Sequence, residues 1–202
     1  MTRIKICGIS RDVDIAYVNE AKPDYIGFVF AQSKRQVTKE QAERLKKMLD
    51  TEIMTVGVFV NDTVERMVEL VDKGIIDVIQ LHGQEDEHVI AKIKEFVSVP
   101  VIQAFGIQDA KDIRRAEKSK ADMVLLDYKS AGSGETFDWK LLRQSLPWAK
   151  PVFLAGGMHS GNVQEAVSKF HPYAIDVSSG VEVNGYKDKE KIKELVRRIQ
   201  NV

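Results

Sequence analysis

Eight short apolar runs, each ending in polar or glycine-rich residues, constrain this chain more than any other feature. They are Ile4 to Cys7, Tyr25 to Phe30, Met54 to Val60, Val78 to Leu81, Val101 to Phe105, Met123 to Leu126, Val152 to Ala155 and Ala174 to Val177. Most are near-continuous and rich in Val, Ile and Phe, the pattern of strands covered on both faces. Between them the apolar spacing turns helical. Val64, Met67, Val68 and Val71 fall at i, i+3, i+4 and i+7 behind a capping-box spacing from Asp62 to Glu65, with Gly74 as a stop. Thr38 and Gln41 open another helix with Ala42, Leu45 and Leu49 inward. The pattern recurs at Val163, Ala166, Val167 and Phe170, and again at Ile192, Leu195, Val196 and Ile199. It is faintest after Asp109 and after Asp138.

Strand and helix thus alternate eight times in 202 residues, a unit of roughly 25 residues, near the lower size limit of an eightfold barrel. A doubly wound open sheet is the competing architecture. The count of eight, and the lack of a Gly-x-Gly-x-x-Gly turn after the first run, favour the α/β class and a (β/α)8 TIM barrel. No linker, low-complexity segment or charge block divides the chain, so a single domain over 1–202 is expected. Thirty basic and thirty acidic residues give a formal net charge of zero, so no overall field draws nucleic acid or an anionic membrane. An anionic ligand must be held locally. One cysteine forms no internal disulfide, the N-terminus shows no signal-peptide run, and no stretch approaches the ~20 apolar residues of a membrane span. A cytoplasmic protein is expected.

In an eightfold barrel, function sits where strands end and loops begin. The first strand ends in Cys7-Gly8. A free cysteine is often only a small buried hydrophobe, but at a strand's C-terminal end its thiolate can serve as base or nucleophile if the site favours ionisation over the usual pKa of ~8.5. The sixth ends in Leu126-Asp127, a carboxylate at a semi-dry mouth where a raised pKa suits a general acid; the plain alternative is a turn cap. The loop that follows, Tyr128 to Gly134 with Gly132-Ser133-Gly134, has the composition of a closing lid. Strands seven and eight end in Ala155-Gly156-Gly157-Met158 and Asp176-Val177-Ser178-Ser179-Gly180. Glycines let backbone N–H groups approach an anion, and these two loops are the usual phosphate site of such barrels.

Two further endings complete the ring. Arg35, in Ser33-Lys34-Arg35, has the fork that grips a carboxylate bidentately, although a basic loop is often only solvated. Gln80 and His82 share one side of the fourth strand by its period of two, and His82 is either a polar contact in the site or a packed histidine. His82, His88, His159 and His171 show no metal-ligand spacing, and there is no Gly-x-Ser-x-Gly elbow or Walker loop. An acid, a base and a phosphate site remain, with no metal expected.

Taken in order, Lys5-Ile6-Cys7-Gly8-Ile9, Gly27-Phe28-Val29-Phe30 with Ser33-Lys34-Arg35, Val56-Gly57-Val58-Phe59-Val60, Gln80-Leu81-His82-Gly83, Leu126-Asp127, Gly132-Ser133-Gly134 with Thr136-Phe137-Asp138-Trp139, Gly156-Gly157 and Asp176 to Glu182 resemble the phosphoribosylanthranilate isomerases of tryptophan biosynthesis. The resemblance implies an eightfold barrel, no cofactor, a small phosphorylated substrate, and an Amadori rearrangement of an aminoaldose to an aminoketose. It implies Asp127 as the acid that protonates the furanose ring oxygen and Cys7 as the base that takes the proton from sugar carbon 2. Arg35 would hold the anthranilate carboxylate, and the backbone of Gly156, Gly157, Ser178, Ser179 and Gly180 the phosphate. Asp176 reads as a supporting carboxylate. Ala155-Gly156-Gly157-Met158 departs from the usual Ser-Gly-Gly-Leu, and the loop between Asp127 and Gly132 is shorter than in some members. A metal-dependent pentose-phosphate epimerase is disfavoured by strand 2 ending in Phe28-Val29-Phe30. The histidine-pathway isomerase, with aspartates in both catalytic positions, is disfavoured by Cys7. A barrel that only binds phosphorylated ligands is disfavoured by the presence of both Cys7 and Asp127. Monomer and homodimer stay open.

Overall fold

The computed structural model describes residues 1–128, 142 and 148–202. Its strands are β1 (Arg3–Cys7), β2 (Tyr25–Val29), β3 (Met54–Phe59), β4 (Val78–Leu81), β5 (Val101–Ile107), β6 (Met123–Tyr128), β7 (Val152–Ala155) and β8 (Ala174–Val177), which pair in sequence order into a closed parallel barrel. All eight expected runs are strands. Closure is made where β1 pairs with β8, Lys5 standing opposite Asp176 and Ile6 opposite Val177. The helices are α1 (Asp12–Ala21), α2 (Lys39–Met48), α3 (Val64–Asp72), α4 (Glu87–Phe96), α5 (Ala110–Lys118), α6 (Val163–Phe170) and α7 (Lys189–Gln200). The loop expected to close over a ligand, Tyr128 to Gly134, lies outside the described residues from Lys129 onward, and of the helix expected after Asp138, Leu142 is described before residue 148.

Local chemistry accounts for the helix starts. Thr38 accepts a hydrogen bond from the Gln41 amide, as its spacing suggested, and Asp109 caps α5 with a reciprocal bond from Asp112. For α3 the cap is Thr63, one residue beyond the expected Asp62. The threonine hydroxyl accepts from the Arg66 amide, while the Asp62 carboxylate turns back to the Thr63 amide and to the Arg66 guanidinium. The buried face of α3 accordingly runs through Val64, Met67 and Leu70, with Val68 and Val71 half-buried beside it. α6 and α7 bury the residues the spacing selected.

Strand side chains alternate between two cores. Outward residues such as Ile4, Ile6, Phe28, Phe59 and Leu126 pack against the helices. Inward residues fill the barrel with Val56, Val78, Ile102, Leu125, Phe153 and Ala174. At the N-terminal end this filling is closed by polar aromatics. The Arg3 guanidinium lies over the rings of Tyr25 and Tyr173 at 5.9 and 4.9 Å and donates to the Tyr25 hydroxyl at 2.8 Å. Burial and the Tyr173 hydroxyl push the Tyr25 phenol up to about 12. The other end of the barrel stays open.

Phe153 is fully buried between Tyr25 and Tyr173, with ring centroids 5.6 Å from each. Truncating it empties the layer beneath the open end, so Phe153→Ala is expected to cost about 3–5 kcal/mol in urea unfolding. A loss below about 1 kcal/mol would show that the interior is not packed as described.

Candidate active site

The open end holds a cavity of about 390 Å³ at the C-terminal ends of the strands. Cys7, Arg35, His82 and Asp127 line it together with Gly156, Gly157, Ser178 and Ser179. Of the residues selected from sequence, only Gly180 stands back from the cavity. A Cβ on Gly180 would lie 2.0 Å from the carbonyl oxygen of Met158, so this glycine lets the loop after β8 seat directly on the loop after β7. Gly156 and Gly157 both take left-handed backbone, with φ of 85° and 64°, which turns the chain sharply at the end of β7.

The β1–β8 seam supplies the most buried chemistry. Inward positions on β1 alternate as Arg3, Lys5 and Cys7, so a lysine sits one layer beneath the thiol. Lys5 is fully buried, and its Nζ donates to Asp176 Oδ2 at 2.9 Å across the seam. Burial pushes the Cys7 thiol above its usual value; the Lys5 and Lys187 ammonium groups pull it down, and the Asp176 carboxylate adds to the upward push. Burial thus outweighs the two ammonium groups and favours the thiol form.

On the other side of the mouth, His82 and Asp127 meet. Gln80 Nε2 lies 2.8 Å from His82 Nδ1, and His82 Nε2 lies 3.3 Å from Asp127 Oδ2. With the Gln80 amide donating to Nδ1, His82 carries its proton on Nε2, directed at the carboxylate. The intervening strand β5 presents Gly106 at the register of Asp127, so no side chain fills the gap between them. His82 is thus a polar member of the site, and the Gln80 partner follows from the period-two spacing. Among the described residues, Gln80 Oε1 and Asp176 Oδ1 are buried without a hydrogen-bond partner, although both side chains line the cavity. Buried acceptors left open in this way are normally met by water or ligand.

Arg35 is held differently from expectation. Its Nε and Nη2 already grip a carboxylate, Glu182 Oε1 and Oε2, at 2.7 and 2.8 Å. Glu182 begins a two-stranded hairpin of β9 (Glu182–Val183) and β10 (Tyr186–Lys187), closed by Asn184-Gly185 with φ of 52° and 83°. Those are the left-handed conformations a tight two-residue turn requires. The register puts Lys187 opposite Glu182, and the buried Lys187 Nζ donates to Glu182 Oε1 at 2.6 Å, to the Ser178 carbonyl at 3.0 Å and to Ser178 Oγ at 3.3 Å. Ser178 Oγ in turn donates to the Cys7 carbonyl at 3.1 Å. Arg35 is therefore tied to the Cys7 backbone through Glu182, Lys187 and Ser178. Sequence reasoning gave no role to Lys5, Glu182 or Lys187. A lysine inside an apolar strand, two residues before the cysteine, and Asn-Gly after Glu182 were the available signals.

Although burial opposes it, Arg35 and Lys187 hold the Glu182 carboxyl down at about 2. A depressed carboxyl contributes stability above its unfolded pKa and loses it as pH falls through the folded value. The stability difference between the natural chain and Glu182→Gln should therefore shrink as pH is lowered from about 4.5 towards about 2, measured by denaturant titration at each pH. A difference that stays constant over that interval would show that Glu182 carries no such bond energy.

Among the described residues no group of His, Cys, Asp and Glu side chains converges as a metal site, and no helix is long and apolar enough to cross a membrane. The family model of N-(5'-phosphoribosyl)anthranilate isomerase matches residues 4–198. An N-(5'-phosphoribosyl)anthranilate isomerase from Endomicrobium trichonymphae is 45% identical over 206 residues, covering 100% of both chains. A solved phosphoribosyl anthranilate isomerase in complex with reduced 1-(o-carboxyphenylamino)-1-deoxyribulose 5-phosphate superposes with a TM-score of 0.90 at 34% identity, covering 100% of each chain. A structure of monomers generated from the dimeric enzyme of Thermotoga maritima gives 0.88 at 34% identity, again over 100% of both chains. With the match running from β1 into α7 and the barrel closing in the same order, this chain belongs to the phosphoribosylanthranilate isomerase family.

Proposed function

We propose that this chain catalyses the Amadori rearrangement of N-(5-phosphoribosyl)anthranilate to 1-(2-carboxyphenylamino)-1-deoxyribulose 5-phosphate, a step of tryptophan biosynthesis. It does so in the cytoplasm as one barrel domain over 1–202, as a monomer or a homodimer. The observation that carries the reading is the placement of Cys7 and Asp127 on one cavity, beside a cluster of buried cations.

Asp127 gives a proton to the furanose ring oxygen, the ring carbon–oxygen bond breaks, and a protonated Schiff base forms at sugar carbon 1. The His82 Nε2–H then stabilises the carboxylate left behind. The iminium acidifies the proton on carbon 2, and its positive charge arrives beside a thiol that burial has kept protonated. Cys7 ionises in that field, its thiol proton passing to solvent, and the thiolate takes the carbon 2 proton; the electron pair moves to the nitrogen, giving an enolamine that tautomerises to the ketone. The phosphate lies against the turns at Gly156-Gly157 and Ser178-Ser179, where two backbone bends leave room for an anion. Gly180 serves that site by holding the two loops together. Gln80 Oε1 and Asp176 Oδ1 accept from sugar hydroxyls. Since Glu182 occupies two donors of Arg35, the anthranilate carboxylate meets the Nη1 edge that remains.

Single substitutions test the roles. Cys7→Ala and Asp127→Asn should each lower kcat at least ~100-fold with the fold intact by circular dichroism, the usual scale of general acid–base catalysis. Near-normal turnover in either variant would remove that residue from the chemistry. Arg35→Ala should act chiefly through KM; an effect confined to kcat would contradict its contact with the carboxylate.

A further inference from the structure

The chemistry leaves a fully buried ammonium unexplained. Lys5 lies in the inward row of β1, two residues before Cys7 and one layer beneath its thiol, and donates to Asp176 Oδ2 at 2.9 Å. Burying a cation is costly unless it is matched, and an apolar residue would fill the same layer of the barrel at no such cost. The charged and titratable groups that bear on Cys7 are few: Lys5 from its own strand, Asp176 from β8, Lys187 from β10 and Arg35 from the loop after β2. Two of the three cations are already committed. Arg35 is forked on Glu182, and the three N–H groups of Lys187 go to Glu182 Oε1, the Ser178 carbonyl and Ser178 Oγ. Lys5 keeps donors beyond its bond to Asp176 and shares the inward face of β1 with the sulfur.

We propose that Lys5 is a positioning residue for the base: its ammonium, anchored on Asp176, is the fixed positive charge against which the Cys7 sulfur ionises. The thiol proton leaves to solvent, and the resulting thiolate is held by Lys5 Nζ–H. When the thiolate takes the carbon 2 proton, the S–H bond forms, the C–H bond breaks, and Lys5 keeps its own proton throughout. Asp176 sets the strength of the effect. It fixes the ammonium in place through Oδ2 and offsets part of its charge, so the two residues act on the sulfur with opposite signs, Lys5 the stronger.

This inference rests on Cys7 being the base, and its test is independent of turnover. Because the chain has one cysteine, the rate of iodoacetamide alkylation followed by intact mass reports Cys7 ionisation alone. Measured against pH on the full chain, the midpoint in Lys5→Met should rise by at least about one unit, the scale of losing an opposite charge at close range. In Asp176→Asn it should fall. In the double variant, which leaves no buried charge unmatched, it should lie above the natural chain and below Lys5→Met. If Lys5→Met fails to fold, the double variant carries the same comparison. An unchanged midpoint where Lys5 is lost, or shifts of the same sign in Lys5→Met and Asp176→Asn, overturns the proposal. Full turnover in Cys7→Ala would instead overturn the base assignment and leave the alkylation result standing as electrostatics alone.

Discussion

The site depends on barrel closure between β1 and β8. Until those strands pair, Cys7 and Asp176 are separated by nearly the whole chain; once they do, Lys5 stands opposite Asp176 and the thiol lies one layer above. A pair of this sequence separation carries a large loop-closure cost, which the intervening strands and helices must offset through their own packing. The loops after β7 and β8 meet at the same seam. Gly180 packs on the Met158 carbonyl there, and Ser178 bonds the Cys7 carbonyl.

Charge is concentrated where the whole chain shows none. The formal net charge is zero, yet Lys5, Arg35 and Lys187 converge near Cys7 with, among the described residues, Asp176 and Glu182 as their buried partners. The local excess of one positive charge suits a ligand carrying phosphate and carboxylate groups, at short range where salt screens little. Pairing keeps the cations fixed. It also leaves acceptors open at Gln80 and Asp176 and a guanidinium edge open at Arg35, a pattern suited to a polar ligand.

How much of this the sequence disclosed follows from which interactions are local. Eight apolar runs, most of them near-continuous, specified the strands, because burial on both faces leaves few polar positions within them. Thr38 announced a helix start through a bond three residues on. Period two placed Gln80 beside His82. What escaped depends on register across long separations: that Glu182 would fill the fork of Arg35, that Lys187 would sit opposite Glu182, and that Lys5 would find a carboxylate on β8. The Asn184-Gly185 turn and a lone lysine within an apolar strand were local hints of those contacts. Thr63, not Asp62, caps α3, and the Asp62 carboxylate accepts instead from the Arg66 guanidinium and the Thr63 amide. That Gly180 packs on the Met158 carbonyl is likewise a matter of backbone proximity between two loops, which no local pattern encodes.

The central claim is that the chain's own acid and base carry out the rearrangement at this mouth. The most direct measurement is the loss of anthranilate-type fluorescence when the full chain, treated with a metal chelator, meets freshly generated phosphoribosylanthranilate. The account predicts rapid conversion undiminished by the chelator. A folded chain that binds phosphate at the mouth but leaves the fluorescence unchanged would contradict it.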